Sequence, residues 1–193
     1  MGTRDVILDA AAEVMRSRGL AGATTREIAK AAGYSEATLY KHFADKTELV
    51  VAVLHERSPG LTHLWQAVGA RDGEDLVDGL TMTARAAIEL YNQGFPMLAS
   101  IFSDPTILAA HKAGLRRLGV GPHKINEAVI GYLGRQQEEG RIRPDADLYA
   151  AASLLVGACF QHAFLGQMSW ADRRSDDEAA RTFATQVAES LSP

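Results

Sequence analysis

Between Ala31 and Phe43 the chain reads AAGYSEATLYKHF, and two segments with helical spacing meet there at Gly33-Tyr34-Ser35. A turn that short forces the two helices into a tight corner, and nothing else in the chain restricts its fold as much. The flanking residues say where each helix begins and ends. Thr24 and Glu27 have the spacing of a capping box, in which Thr24 accepts from the Glu27 N–H and Glu27 reaches back. Gly33 stops that helix because it tolerates the positive φ of a C-terminal turn. Ser35 caps a third helix running to Phe43, with Leu39 and Phe43 four apart on one side. Asp45 with Glu48 repeats the capping box and opens a fourth helix with Val50, Val53 and Leu54 inward. Ahead of these, Ile7, Ala10, Ala11, Val14 and Met15 follow one helical face until Gly19, and Ile28, Ala31 and Ala32 supply the second helix's buried edge.

The remainder also reads as helix, so the expected fold is all-α. Val77, Leu80, Ala84, Ala87, Ile88 and Tyr91 mark a long amphipathic helix closed by Gly94 and Pro96. Asp104-Pro105 has the form of a cap followed by proline at the first helical position, and Gly121-Pro122 repeats that signal. A helix from about Ala146 to Gln167 is apolar on nearly all sides, and a final one from about Asp176 to Leu191 buries Ala180, Phe183, Ala184, Val187 and Leu191. Ser58-Pro59-Gly60 interrupts the connecting helix. The expected division is therefore a small helix-turn-helix domain over 1–54 and a helical array over 55–193.

Composition narrows the function classes. One cysteine, Cys159, excludes an internal disulfide framework and a cysteine-rich zinc site, and it suits a reducing compartment. The N-terminus carries acids in its first turns and lacks a secretory core, and the apolar run from Tyr149 to Leu165 is interrupted by Ser153, Gln161 and His162. The expectation is a cytoplasmic protein with no membrane partner. Net charge is −4, and residues 1–50 balance seven Lys/Arg against seven Asp/Glu, so any nucleic-acid function rests on where charges sit. Gly33-Tyr34-Ser35-Glu36-Ala37 misses the G-x-S-x-G nucleophile elbow at its last position and lies between helices, where the elbow needs a strand. Gly119 and Gly121 form G-x-G without a third glycine. No two of the six histidines are spaced i, i+3 or i+4. Neither a catalytic set, a cofactor nor a metal is expected.

The third helix needs only Leu39 and Phe43 for burial, which leaves Glu36, Ala37, Thr38, Tyr40, Lys41 and His42 to be explained. One reading is a plain αα-hairpin with solvated polar residues. The other is a recognition helix: Ala37 and Thr38 let a backbone approach base edges, Tyr40 and His42 can donate to phosphate oxygens, and Lys46 opens the next helix, whose N-terminus favours an anion.

The stretch TTREIAKAAGYSEATLYKHFADKTEL, Thr24 to Leu49, closely resembles the DNA-binding signature of the TetR family of bacterial transcriptional regulators, and the helix from Arg4 to Gly19 matches as well. The resemblance covers about the first quarter of the chain. It implies that Thr25 and Arg26 approach the DNA backbone, that Ser35, Ala37, Thr38 and Lys41 face bases or their phosphates, and that Tyr40, His42 and Lys46 sit on the backbone. Glu36 departs from the family pattern. It either accepts from a cytosine amino group or supports the helix N-terminus, and the second is favoured.

Downstream aromatics and methionines cluster near helix breaks. Trp65, Met82, Tyr91, Phe95, Phe102, Phe160 and Phe164 are the expected wall of a mostly apolar effector cavity, with Asn92, His63, Gln161 or His162 as polar handles. The small-residue helix at 146–167 has a second apolar face, and the resemblance implies that it builds a homodimer with the final helix. The expected function is a repressor of near-palindromic double-stranded DNA, released by a small apolar or amphipathic molecule. The rivals are a helical enzyme or carrier acting on that molecule, and an interaction module whose helix-turn-helix no longer binds DNA.

Overall fold

The computed structural model describes residues 2–57, 59–69, 75–103, 105–169 and 173–193, and within its helices the side chains of Ala21, Leu54, His55, Pro59, Ser100 and Ile107 are not described. The expected break at Ser58-Pro59, the cap at Asp104 and the inward Leu54 thus lie outside the described residues. Among those described there are ten helices and no strand. They are α1 (Thr3–Gly22), α2 (Thr25–Ala31), α3 (Glu36–Tyr40), α4 (Lys46–Arg57), α5 (Pro59–Val68), α6 (Leu76–Phe102), α7 (Pro105–Leu118), α8 (His123–Glu138), α9 (Leu148–Gln167) and α10 (Asp176–Leu191).

The chain forms two compact units, and they are discontinuous. Unit 1 is Met1–Ser58 with Gly94–Gly121; unit 2 is Pro59–Gln93 with Pro122–Pro193. A single cut near residue 54 does not describe this division, because the end of α6 and all of α7 pack with the N-terminal helices.

In unit 1, α1 packs on α2 and α4, and α2 packs on α3. Ile7, Leu8 and Ala11 of α1, Ile28 of α2, Leu39 of α3 and Leu49 of α4 are fully buried in one core, which Ile101 of α6 also enters. Burying a leucine such as Leu39 contributes about 1.5–3 kcal/mol. The buried edge of α2 is Ile28 and Ala29; Ala31, expected inside, is exposed. The helix ends at Ala31, and the chain there already turns away toward Gly33.

The long helix expected to close at Gly94 and Pro96 runs on to Phe102, with Pro96 inside it. Proline in a helix interior costs about 3 kcal/mol or more. Burial on either side offsets that cost, since Leu80, Ala84 and Ile88 fill the core of unit 2, while Met97 and Ile101 pack into that of unit 1.

Unit 2 is built on α9, which packs against α8 and α10. Ala151, Ala152, Leu155 and Cys159 face inward with Tyr132 and Leu133 of α8 and Ala180 and Ala184 of α10. Phe183, expected inside, is only half-buried. Burial pushes the Cys159 thiol up to about 12, and its Sγ lies 3.6 Å from the Ala84 carbonyl, so it packs as a small protonated hydrophobe. By length and composition alone α9 is apolar enough to cross a bilayer, contrary to the sequence expectation, and its packed inner face accounts for part of that apolarity.

Candidate nucleic-acid interface

The turn between α2 and α3 is closed by its own backbone. Gly33, at φ 76°, donates to the Lys30 carbonyl at 3.1 Å, and Tyr34 N donates to the Ala29 carbonyl at 2.9 Å. This is the Schellman pattern, and glycine at its left-handed position carries no Cβ penalty. One residue on, Ser35 caps α3 by accepting from Thr38 N at 3.2 Å, and its hydroxyl lies 2.9 Å from that of Thr38. The α2 capping box forms as expected, with Thr24 Oγ1 accepting from Glu27 N at 3.2 Å. The recognition segment is shorter than expected, since only Glu36–Tyr40 is α-helical. The next residues tighten: Lys41 N bonds Thr38 O and His42 N bonds Leu39 O, both three residues back.

Leu39 and Phe43 are buried as the spacing required, while Ala37, Tyr40, Lys41 and His42 are exposed. Among the described residues, the side chains of Arg26, Lys41 and His42 make no hydrogen bond or ion pair. Glu36 has a specific partner: its carboxylate accepts from the Thr25 hydroxyl, which also lies 3.4 Å from the Tyr40 hydroxyl. Neither role considered for Glu36 is this one, because it ties α3 to α2. Thr25 correspondingly spends its donor inside the helix pair.

Lys46 also differs from expectation. Its ammonium donates to the Leu20 carbonyl at 2.6 Å, and burial lowers its pKa. It anchors the start of α4 to the end of α1 with one of its three donors. Asp45 accepts from Glu48 N at 2.8 Å, but the Glu48 carboxylate reaches Ala44 N at 2.7 Å, one residue beyond the expected box. The second Asp45 oxygen accepts from Arg117 of α7 at 2.9 Å, a bond that holds the Asp45 carboxyl below its usual range. On the same face of α7, a Cβ at Gly114 would lie 2.3 Å from Thr47 Cγ2, so only glycine allows α7 this close to α4.

Arg117 lies on α7, which packs on α4 and brings further positive charge into unit 1. Unit 1 carries eleven Lys/Arg against nine Asp/Glu, whereas unit 2 carries nine against fifteen. The N-terminal helices are neutral, and the excess comes from Lys112, Arg116 and Arg117 on α7. Their sequence distance from the helix-turn-helix hid them.

The expected effector residues are divided between the two units. Phe95 and Phe102 fall in unit 1, where Phe102 is 68 % exposed, and the other five fall in unit 2. Tyr91 and Phe160 meet edge to face at 5.2 Å between ring centroids, and burial pushes the Tyr91 phenol up to about 12. Trp65, Met82, Phe160 and Phe164 are partly exposed. Among the four polar handles, Asn92 and His162 are bonded to Asp176, at 3.0 Å each. Burial acts most strongly on the Asp176 carboxyl, upward, but the bonds from Arg173 and His162 together bring it below its usual value. Among the described residues no group of three or more His, Cys, Asp or Glu is placed to hold a metal ion.

Fold and surface together define an all-α protein with a capped helix-turn-helix whose polar face is open. Residues 7–53 match the family model described as bacterial regulatory proteins, tetR family. The chain is 27 % identical over 156 residues to the HTH-type transcriptional repressor KstR2 of Rhodococcus jostii, covering 80 % of this chain and 74 % of that one. It is 34 % identical over 91 residues to the HTH-type transcriptional regulator TtgR of Pseudomonas putida, covering 47 % of this chain and 42 % of that one. The crystal structure of a putative TetR-family transcriptional regulator from Rhodococcus sp. has the same fold, with a TM-score of 0.73 over 98 % of both chains at 20 % identity. Residues 7–53 thus carry the DNA-binding signature of the TetR family of bacterial transcriptional regulators, and the chain is a DNA-binding regulator.

Proposed function

We propose that the protein is a homodimeric repressor whose α3 helices read a near-palindromic operator, and that it leaves the DNA when a small amphipathic molecule binds unit 2. The observation that carries the DNA-reading part is the surface of α3 and the turn that follows it: Ala37, Tyr40, Lys41 and His42 are exposed, while Leu39 and Phe43 are buried. Ala37, Thr38 and Lys41 are assigned to bases. Tyr40, His42 and Arg26 are assigned to phosphates, with the α7 cations adding to the attraction. Glu36 departs from the family pattern, and its bond to Thr25 gives it a structural role that does not oppose DNA binding. Repression agrees with the similarity to the transcriptional repressor KstR2, and the matched relatives are regulators, which speaks against the enzyme or carrier reading.

Dimerisation is supported by the outer face of α9. Leu154 is 68 % exposed, Gly157 has no neighbouring side chain where its Cβ would be, and Phe160 and Phe164 are more than 40 % exposed. An apolar stripe of this kind is covered in a stable protein, and a second copy of α9 and α10 forms a four-helix bundle over it.

A gel-shift titration with the DNA upstream of the protein's own gene tests the reading. Binding should require the dimer, and log affinity should fall steeply with log salt as counterions are released. Salt-independent binding, or specific binding by a monomer, would refute it.

A further inference from the structure

Unit 2 holds a cavity of about 390 Å³ between α5, α6 and α10. Of the seven aromatics and methionines expected to form an effector wall, only Met82 lines it. Its floor is apolar, from Ala67, Met82, Ala86 and Ala180, and its charged groups are Arg85, Glu89 and Asp177, with His63 beside them.

These charges are not equivalent. Arg85 is already spent, because its Nε is ion-paired with Asp177 and its Nη1 lies 3.7 Å from Asp176. Glu89 is held differently. One carboxylate oxygen lies 2.9 Å from His63 Nδ1, and the other accepts from Gln93 Nε2 at 3.0 Å. Gln93 is itself fixed, since its carbonyl oxygen accepts from Gly60 N at 3.3 Å at the start of α5. Both partners orient the Glu89 carboxylate, and neither is a permanent cation. A fixed anion above an apolar floor, with the nearest cation already paired, selects for positive charge on an apolar body.

We propose that this cavity binds an amphipathic organic cation, whose ammonium or amidinium group sits on Glu89 and whose apolar part covers Met82 and Ala86. That this ligand is the effector rests on the release reading given above.

The test uses the full-length protein and three probes with one tail: decylamine as its ammonium form, decanol and decanoate, each below its aggregation threshold. Calorimetric titration should show decylammonium binding most tightly and decanoate least. Glu89→Gln, which keeps size and removes the charge, should weaken decylammonium by about ten- to a hundredfold and leave decanol unchanged. Arg85→Gln should act in the opposite direction, strengthening decylammonium by unpairing Asp177. Equal binding of decanoate and decylammonium, or indifference of decylammonium to both substitutions, would overturn the proposal. A parallel gel shift separates the two readings. Glu89-dependent binding without DNA release upholds the site and removes its role as effector site. Release by a probe whose affinity ignores Glu89 upholds regulation and refutes this ligand class.

Discussion

Two helices keep a face uncovered, and they do so with opposite chemistry. On α3 the open face is polar, with Tyr40, Lys41 and His42 around the small Ala37. On α9 it is apolar, with Leu154, Phe160 and Phe164 around Gly157. A polar face rests in water at little cost and can wait for a polyanion. An apolar face loses about 25 cal/mol for every Å² it keeps wet, so it calls for a permanent cover. The same geometric fact therefore points to an occasional partner in one place and to a standing one in the other.

The largest effect should come from charging the apolar face. Leu154→Glu leaves the inner core untouched, so the monomer should stay folded while the dimer dissociates in sedimentation experiments. Specific operator affinity should then collapse toward the non-specific level, a loss of roughly a thousandfold or more. A Leu154→Glu protein that remained a dimer would show that α9 has some other cover.

Next in size is the buried side of α3. Leu39→Ala should cost about 2–5 kcal/mol in denaturant titrations, because the leucine is fully buried in the core to which α1, α2 and α4 also contribute. Lys41→Ala, two residues further on and exposed, should leave stability unchanged. If both substitutions destabilised alike, the division of α3 into an anchoring and a reading face would fail.

How well each face could be read from sequence follows from how locally it is specified. Thr24, Gly33 and Ser35 act within four residues of themselves, so the caps and the turn were legible, and Leu39 and Phe43 followed from their spacing. Glu36 was not, because its partner Thr25 lies eleven residues back across the turn. Lys46 has the composition of a phosphate contact, yet Leu20 O captures it from twenty-six residues away. Pro96 carries a strong local stop signal that burial at both ends of α6 overrides. The effector wall was placed on aromatics, whereas the described cavity is lined mainly by alanines and charged residues, a composition that a helix surface shares.

A smaller effect should separate reading from holding on the open face of α3. Substitutions at Thr38 or Lys41 should change base preference by roughly 1–3 kcal/mol per lost contact, seen as an altered motif in a selection experiment. Tyr40→Phe and His42→Ala should instead weaken all sequences alike. An unchanged motif in both the Thr38 and Lys41 variants would move the base-reading surface elsewhere.

The smallest effect concerns the tie between α7 and α4, and it tests whether α7 belongs functionally to the DNA-binding unit. The Arg117 bond depresses the Asp45 pKa in the folded protein. A carboxyl with a depressed folded pKa contributes its stability above the ordinary carboxylate value and loses it as pH falls through the lowered one. Both side chains are about half exposed, so solvent screens the pair and its coupling should be slight. A double-mutant cycle with Asp45→Asn and Arg117→Gln should show that coupling at neutral pH, shrinking on acidification below the usual carboxylate range and in high salt. DNA binding discriminates further. If Arg117 acts only by holding Asp45, Arg117→Gln and Asp45→Asn should change operator affinity in the same direction with an unchanged salt slope. If its charge also serves the phosphates, Arg117→Gln alone should lower the slope, by about one unit for a full phosphate contact. A slope and an affinity that ignore both substitutions would reduce α7 to a packing element, and the positive balance of unit 1 would then have no part in binding.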